Sequence, residues 1–127
     1  MDLPEDLKYS EDHLWIRSGN GRSVRIGFTE YAADQLREVV SVSLPSVGDE
    51  IVVGDVVGEI ESVKSAGDIL SPVAGVVSAV NAEIDTNAEL VNDDPYGDGW
   101  LFEVEMSDDD GLDDLLEADA YADIIDS

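Results

Sequence analysis

The chain contains no cysteine, and histidine occurs once among its 127 residues, at position 13. Disulfides, thiolate nucleophiles and Cys-ligated zinc or iron–sulfur sites are therefore excluded. No apolar run approaches the ~18 residues that a membrane-spanning helix needs. The N-terminal residues lack the basic start and the apolar stretch of a secretory signal. We therefore expect a cytoplasmic protein with no membrane partner.

Basic residues are also scarce, because 6 Lys and Arg stand against 31 Asp and Glu, for a formal net charge of -25. A surface of this charge repels the phosphate backbone of nucleic acid as well as anionic lipid. Self-repulsion on this scale destabilises a compact chain unless salt screens it. The composition favours a protein from a cell with concentrated internal salt, as in halophiles, and an ordinary acidic protein is the alternative.

A hydrophobic content of 43% over 127 residues is enough for the core of one domain. After an irregular N-terminal arm to about residue 10, the segments 13–17 and 23–28 predict a hairpin around a turn at 18–21. Thr29 is a suitable N-cap for a short helix that begins at Glu30 and ends near Arg37. The β-branched run from Val39 to Leu44 predicts a strand that Pro45 ends.

Between residues 47 and 81, short Val/Ile segments cut by Gly and Asp predict a small all-β barrel or sandwich. A weak repeat at an offset of 17 places residues 56–64 over 73–81, which puts Lys64 and Asn81 at equivalent turns. We expect a turn-rich loop at 92–99 and a last strand at 100–106. In the acidic tail, apolar residues at roughly helical spacing predict short amphipathic helices that cover the domain's own core. These residues are Leu112, Leu115, Leu116, Tyr121, Ile124 and Ile125.

The sequence contains no clear motif for an enzyme active site or a metal site. No nucleophile-elbow motif supports a catalytic triad through His13, and a structural role is the better interpretation. Positions 94, 98, 99 and 105 match part of an EF-hand loop, but Pro95 and Tyr96 interrupt its ligand pattern. We therefore expect neither catalytic residues nor a bound metal.

Lysine is the informative residue type, because the chain has two, Lys8 and Lys64. Lys8 lies in the predicted arm, whereas Lys64 lies at the tip of a predicted turn between two β segments. An ε-amine on a flexible stem can be acylated, and a guanidinium is a poor acceptor. The alternative is an ordinary surface lysine at a turn.

The segments 61–64 (Glu-Ser-Val-Lys) and 71–75 (Ser-Pro-Val-Ala-Gly) resemble the lipoyl-attachment signature of the glycine cleavage system H protein family. The resemblance extends from residue 7 to about 121 and includes further motifs at 13–16, 27–32, 44–48 and 89–100. Four positions depart from the family's usual residues: Leu14 stands for Glu, Arg37 for Gly, Ser41 for an aromatic residue and Ala88 for Pro. None of these departures touches the attachment turn.

The resemblance implies a mainly β barrel-sandwich hybrid of the lipoyl/biotinyl type, with a short helix near 29–37 and C-terminal helices. It implies one lipoyl-carrier domain over 1–127, including an acidic helical tail at about 108–127. Lipoate would be joined in amide linkage to Lys64. The residues implied in recognition of the attachment turn are Glu61, Ser62, Val63, Asp68 and Gly75.

The implied function is that of a non-catalytic, monomeric carrier. Its implied partners are the pyridoxal-phosphate glycine decarboxylase, the tetrahydrofolate-dependent aminomethyltransferase, the flavin enzyme dihydrolipoamide dehydrogenase and a lipoate-attaching enzyme. A biotinyl domain is disfavoured, because Val63 and Ser65 flank the lysine where biotinyl turns usually have Met. Two alternatives remain, an H-like protein that relays lipoate to other enzymes and an unmodified acidic interaction domain.

Overall fold

The computed structural model describes residues 3–19, 21–107, 112 and 115–125. Within these ranges the strands are β1 (Lys8–Tyr9), β2 (Leu14–Ser18), β3 (Ser23–Phe28), β4 (Val39–Ser43), β5 (Glu50–Ile51), β6 (Val56–Ser62), β7 (Ala66–Leu70), β8 (Gly75–Val80) and β9 (Phe102–Met106). The helices are α1 (Glu30–Leu36), α2 (Ala82–Thr86), α3 (Leu90–Asp93) and α4 (Ala118–Ile125).

The described strands form two antiparallel sheets. The six-stranded sheet has the order β1-β2-β3-β9-β8-β5, and the three-stranded sheet has the order β4-β6-β7. Alternating burial along β8 and β9 shows that each strand presents one face to a core. The main core lies between the sheets, because it contains side chains from both. Examples are Ile26 and Val104 from the larger sheet and Val42, Ile60 and Ile69 from the smaller one.

Strand β2 is buried on both faces. Leu14 and Ile16 belong to the main core, whereas Trp15 belongs to a second apolar cluster on the opposite face of the sheet. Gly27 is paired with Trp15, and a Cβ at Gly27 would lie 2.6 Å from the indole ring. The glycine therefore makes room for the tryptophan, and this face of the sheet needs a cover of its own.

The C-terminal segment supplies that cover. Leu116 pairs with Tyr9, and Tyr121 of α4 is fully buried, stacked on Tyr9 with ring centroids 4.8 Å apart. Leu112 and Leu115 pack against the main core. The prediction that the tail covers the protein's own core is thus confirmed for these residues, but it is wrong for Ile124, which is exposed, and the described part of the tail is helical only in α4. Residues 108–111, 113–114 and 126–127 of the predicted tail lie outside the described ranges.

Several boundaries differ from the sequence predictions. The arm is not irregular at β1, because Lys8 and Tyr9 pair with Ile16 and Trp15. Helix α3 begins ahead of the predicted 92–99 loop and takes its first residues, and β9 begins at Phe102, two residues later than predicted. The hairpin β2–β3 and helix α1 are confirmed, and the Thr29 side chain accepts a hydrogen bond from the Ala32 main-chain N–H as an N-cap.

The expected equivalence of the turns at Lys64 and Asn81 is wrong. Strands β6 and β8 lie in different sheets, which agrees with two strand–turn units packed on each other, but the two strands end differently. Lys64 follows β6 in a hairpin turn, whereas Asn81 follows β8 and begins α2, where its side chain accepts from the Glu83 main-chain N–H. Among the described residues, no helix is both long and apolar enough to cross a bilayer.

Candidate functional site

Lys64 lies at the tip of the β6–β7 hairpin, which pairs Glu61 with Ala66 and Ile60 with Gly67. The turn is closed by the Ser62 main-chain N–H, which donates to the Ser65 carbonyl oxygen at 2.8 Å. Residues 63–68 are all exposed. The sequence prediction that places Lys64 at a turn between two strands is therefore confirmed.

Ser62 braces the turn from inside. Its Oγ donates to the Ser65 carbonyl oxygen at 3.0 Å and accepts from the main-chain N–H groups of Ser65 at 3.1 Å and Lys64 at 3.4 Å. The residue is buried although its neighbours in the turn are exposed. A serine is suited to this position, because one hydroxyl both donates and accepts. Ser62 is therefore a structural part of the turn.

Val63 connects the turn to the rest of the fold. Its main-chain N–H donates to the Glu38 carbonyl oxygen at 3.0 Å, which extends the β4–β6 pairing of Val39 with Ser62 by one step. Its side chain is 64% exposed beside Lys64. Sequence reasoning missed Glu38, because a main-chain acceptor leaves no signal in the type of side chain.

Glu61 and Asp68 place carboxylates near the hairpin tip. Glu61 Oε2 accepts a hydrogen bond from Ser41 Oγ at 3.4 Å, so the expectation that none of the four departures touches the attachment turn is wrong for Ser41. Asp68 is paired with Glu59 on the neighbouring strand. The exposed side chains include those of Ser41, Glu59, Glu61 and Asp68. The attachment hairpin, residues 61–68, is therefore flanked by negative charge.

Gly75 does not belong to this hairpin. It begins β8 in the six-stranded sheet, where it pairs with Ile51 and Met106. A Cβ at this position would lie 2.1 Å from the Glu105 carbonyl oxygen. Because main-chain atoms cannot give way cheaply, the close approach of β8 and β9 accounts for glycine here.

His13 has a structural setting. Its Nδ1 lies 2.8 Å from the Tyr121 hydroxyl, and its ring packs against Tyr31 with centroids 5.0 Å apart. Burial lowers the pKa of His13 from 6.5, and the nearby Asp12 carboxylate raises it in part. Burial also raises the pKa of Tyr121 to about 12. A neutral histidine hydrogen-bonded to a buried phenol fits the structural interpretation.

Residues 94–99, which matched part of an EF-hand loop, form a turn held by Asp94. Asp94 Oδ2 accepts the main-chain N–H of Asp98 at 2.9 Å, and Gly97 packs directly against the same carboxylate. The Asp94 main-chain carbonyl accepts from Gly97 and Gly99. These contacts make Asp94 the organiser of the 94–99 turn.

Comparison with known proteins agrees with this geometry. The family model described as glycine cleavage H-protein matches residues 7–127. The chain belongs to the glycine cleavage H-protein family. It is 45% identical over 129 residues to the glycine cleavage system H protein of Mycobacteroides abscessus, with 98% of each chain covered. It is 50% identical over 121 residues to the H protein of Micrococcus luteus, with 94% of each chain covered.

The fold agrees with that of a solved member of the H-protein family. A crystal structure of a glycine cleavage system H protein from Mycobacterium marinum superposes with a TM-score of 0.89 at 34% identity, covering 98% of this chain and 100% of that one. The predicted mainly β, barrel-sandwich class is therefore confirmed. The family resemblance inferred from the motifs is confirmed as well.

Proposed function

We propose that this chain is a lipoyl carrier of the glycine cleavage system, with lipoate joined in amide linkage to Lys64. The supporting observation is that Lys64 stands exposed at the tip of a hairpin that Ser62 braces from within. Lys8, the other lysine, lies in β1, and its ammonium forms an ion pair with Glu117 at 3.0 Å. Lys64 is thus the lysine whose setting suits acylation.

The surroundings of Lys64 fit a long flexible group, because residues 63–68 are all exposed. When bound, the lipoyl dithiolane would carry the aminomethyl group from glycine decarboxylase to aminomethyltransferase, and its electrons would pass to dihydrolipoamide dehydrogenase. About a dozen bonds from the Lys64 Cα give a reach on the order of 15 Å. Tethering gives roughly millimolar local concentration at each partner site. The chain contributes reach and presentation, and we propose no catalytic residue in it.

The hairpin's own residues would present the amine. Ser62 fixes the turn, and the Val63–Glu38 hydrogen bond extends the β4–β6 pairing up to the residue before Lys64. We propose that the attaching enzyme reads the exposed Glu61, Val63 and Asp68 around this rigid turn. Gly75 would contribute indirectly by allowing β8 and β9 to approach closely.

The charge of the protein restricts its partners. At -25, the surface disfavours nucleic acid and anionic membranes, and it repels a second copy of the chain. We therefore propose a monomeric, cytoplasmic carrier. Contacts with acidic partner enzymes would strengthen as salt screens the repulsion.

The test is the intact mass of the protein purified from its own cells, followed by peptide mapping. A gain of about 188 Da on Lys64 is expected for a lipoyl group, against about 226 Da for biotinyl. In reactions with lipoate, ATP and a lipoate-attaching enzyme, Lys8→Arg should gain the same mass and Lys64→Arg should gain none. An unmodified Lys64 in cells growing on glycine would contradict the proposal and favour an acidic interaction domain.

A second step separates glycine cleavage from lipoate relay. The lipoylated protein is combined with glycine decarboxylase, aminomethyltransferase, dihydrolipoamide dehydrogenase, tetrahydrofolate as the one-carbon acceptor and NAD+ as the electron acceptor, and release of CO2 from glycine is measured. Glycine-dependent CO2 release is expected from wild type and not from Lys64→Arg. A lipoylated chain that supports no release, yet passes lipoate to another acceptor protein, would favour the relay function.

A further inference from the structure

Both the oxygen and the nitrogen of the Asn92 side-chain amide, in α3, form hydrogen bonds with the main chain of residues 33–39. Its Oδ1 accepts from the Val39 main-chain N–H at 2.9 Å. Its Nδ2 donates to the carbonyl oxygens of Ala33, at 3.3 Å, and Arg37. The amide's acceptor and its donor nitrogen are thus both engaged where α1 ends and β4 begins.

That junction contains a backbone conformation that favours glycine. Arg37 caps α1 with φ 64° and ψ -137°, and its N–H donates to the carbonyl oxygens of Ala33 and Asp34. A side chain at such a φ is strained, so the conformation persists only where the surroundings hold it. The hydrogen bond from Asn92 to the Arg37 carbonyl oxygen supplies one such restraint.

The junction also contacts the attachment hairpin. Glu38 lies between Arg37 and Val39, two of the three residues whose main chains Asn92 binds, and its carbonyl oxygen accepts from the Val63 N–H at 3.0 Å. Val63 directly precedes Lys64. The hydrogen bonds of the Ser62 side chain lie within the hairpin and shape the turn, whereas the Val63–Glu38 hydrogen bond joins the turn to the junction at the end of the β4–β6 pairing.

From this continuous path we propose that Asn92 is a positioning residue for acylation of Lys64. By holding residues 37–39, it orients the Glu38 carbonyl oxygen, which in turn holds the main chain beside Lys64 in the place where the attaching enzyme meets it. The proposal rests on the proposed function of Lys64 as the acyl acceptor. Asn92 touches neither the lysine nor the incoming acyl group in this scheme.

Asn92→Ala is the principal variant, and Asn81→Ala is its matched control. Asn81 makes the same kinds of contact elsewhere, donating to the Asp98 and Trp100 carbonyl oxygens and accepting from the Glu83 N–H. The kinetics of lipoyl transfer to each unmodified protein by a lipoate-attaching enzyme are measured in high salt, with folding checked by circular dichroism. We expect Asn92→Ala to lower kcat/KM by about threefold to tenfold, mainly through a higher KM for the carrier. Asn81→Ala should leave both constants near wild type.

Amide hydrogen exchange gives a second readout that does not depend on lipoylation. The Val63 N–H should exchange about threefold to tenfold faster in Asn92→Ala than in wild type or Asn81→Ala. Arg37→Gly added to Asn92→Ala should restore part of the lost kcat/KM, because glycine adopts the junction's conformation without strain. Because Arg37→Gly should also stabilise the fold as a whole, kcat/KM is compared at a temperature where each variant is fully folded, so that general stabilisation does not account for the rescue.

If Asn92→Ala does not fold, Asn92→Asp replaces it, since its carboxylate still accepts from Val39 and loses the donors to the two carbonyls. The positioning role is overturned if the folded variant matches Asn81→Ala in both kcat/KM and Val63 exchange. It is also overturned if Arg37→Gly restores nothing. If wild-type Lys64 itself accepts no lipoyl group, the proposed function fails, and exchange at Val63 still decides whether Asn92 holds the hairpin.

Discussion

The hydroxyl of Tyr121 lies 2.8 Å from Thr29 Oγ1, and both residues are fully buried. Thr29 is at the same time the N-cap of α1, and the Tyr121 hydroxyl also lies 2.8 Å from His13 Nδ1. One phenol therefore connects the C-terminal helix to the open end of the β2–β3 hairpin and to the N-cap of the helix that follows. The stability of the fold should depend on this contact.

Tyr121→Phe removes the hydroxyl and keeps the ring stacked on Tyr9. His13 Nδ1 and Thr29 Oγ1 each lose their hydrogen bond to the Tyr121 hydroxyl. We therefore expect the free energy of unfolding to fall by about 1–3 kcal/mol. Urea unfolding in high salt measures the loss. The control is Tyr31→Phe, whose ring also contacts His13 and which should change stability by less than about 0.5 kcal/mol. Equal effects would contradict the central role of the Tyr121 hydroxyl.

The lowered pKa of His13 predicts acid sensitivity. The unfolded chain takes up the proton near pH 6.5, whereas the folded chain resists it until lower pH. The contribution of neutral His13 to the free energy of unfolding is therefore fully present above pH 6.5. It is lost as the pH falls through the lower pKa that His13 has in the folded state. His13→Asn, which tolerates the residue's φ of 70°, should lose less stability over that window.

Because His13 is the sole histidine of the chain, its ring protons give a direct titration by NMR. The midpoint should lie below 6.5. A midpoint at or above 6.5, with the same acid dependence in His13→Asn and wild type, would refute this prediction.

Arg37→Gly should stabilise the protein. The φ of 64° at Arg37 strains any residue with a Cβ, at a cost of about 1–3 kcal/mol. The greater freedom of glycine in the unfolded chain offsets part of the gain, so we expect a net increase of about 1 kcal/mol in the free energy of unfolding. Arg37→Ala removes the guanidinium and keeps the strain, and it should show no such gain. An equal increase in the free energy of unfolding for Arg37→Ala would show that loss of the Arg37 charge, and not relief of backbone strain, stabilises the protein.

Salt should stabilise the fold through screening. With a net charge of -25, repulsion among carboxylates destabilises the folded state at low ionic strength. We expect the Tm to rise between about 0.1 M and about 2 M KCl, where the Debye length falls from roughly 10 Å to a few Å. Sucrose, which stabilises by exclusion without screening charge, serves as the comparison. A Tm that does not change with KCl would contradict the halophilic interpretation.

Local patterns in the sequence predicted much of this architecture. Alternation along β3, the N-cap at Thr29 and the β-branched run of β4 each depend on neighbours within a few residues. The hairpin that carries Lys64 was predicted in the same way, from a polar turn between two β segments. These features follow from short-range stereochemistry and the burial of one strand face, both of which are visible in a window of residues.

Other features were not visible in any such window. The role of Glu38 depends on a carbonyl oxygen that meets Val63 from 25 positions away in the chain. Part of the predicted irregular arm is a strand because Lys8 and Tyr9 pair with β2, and Leu116 of the C-terminal segment pairs with Tyr9 from the other side. The repeat at an offset of 17 predicts matching turns, but the second strand is followed by a helix where the first is followed by a hairpin turn.

The sequence by itself determined the absence of thiol chemistry, the strongly acidic surface, the mainly β pattern and the presence of Lys64 at a turn, because residue type and local spacing carry that information. Only the tertiary structure decided that Ser62 is buried beneath an exposed turn, that Tyr121 closes over Tyr9, and that Asn92 reaches the junction next to the hairpin. These relationships join residues far apart in the chain, and their geometry arises only when the sheets and helices pack together.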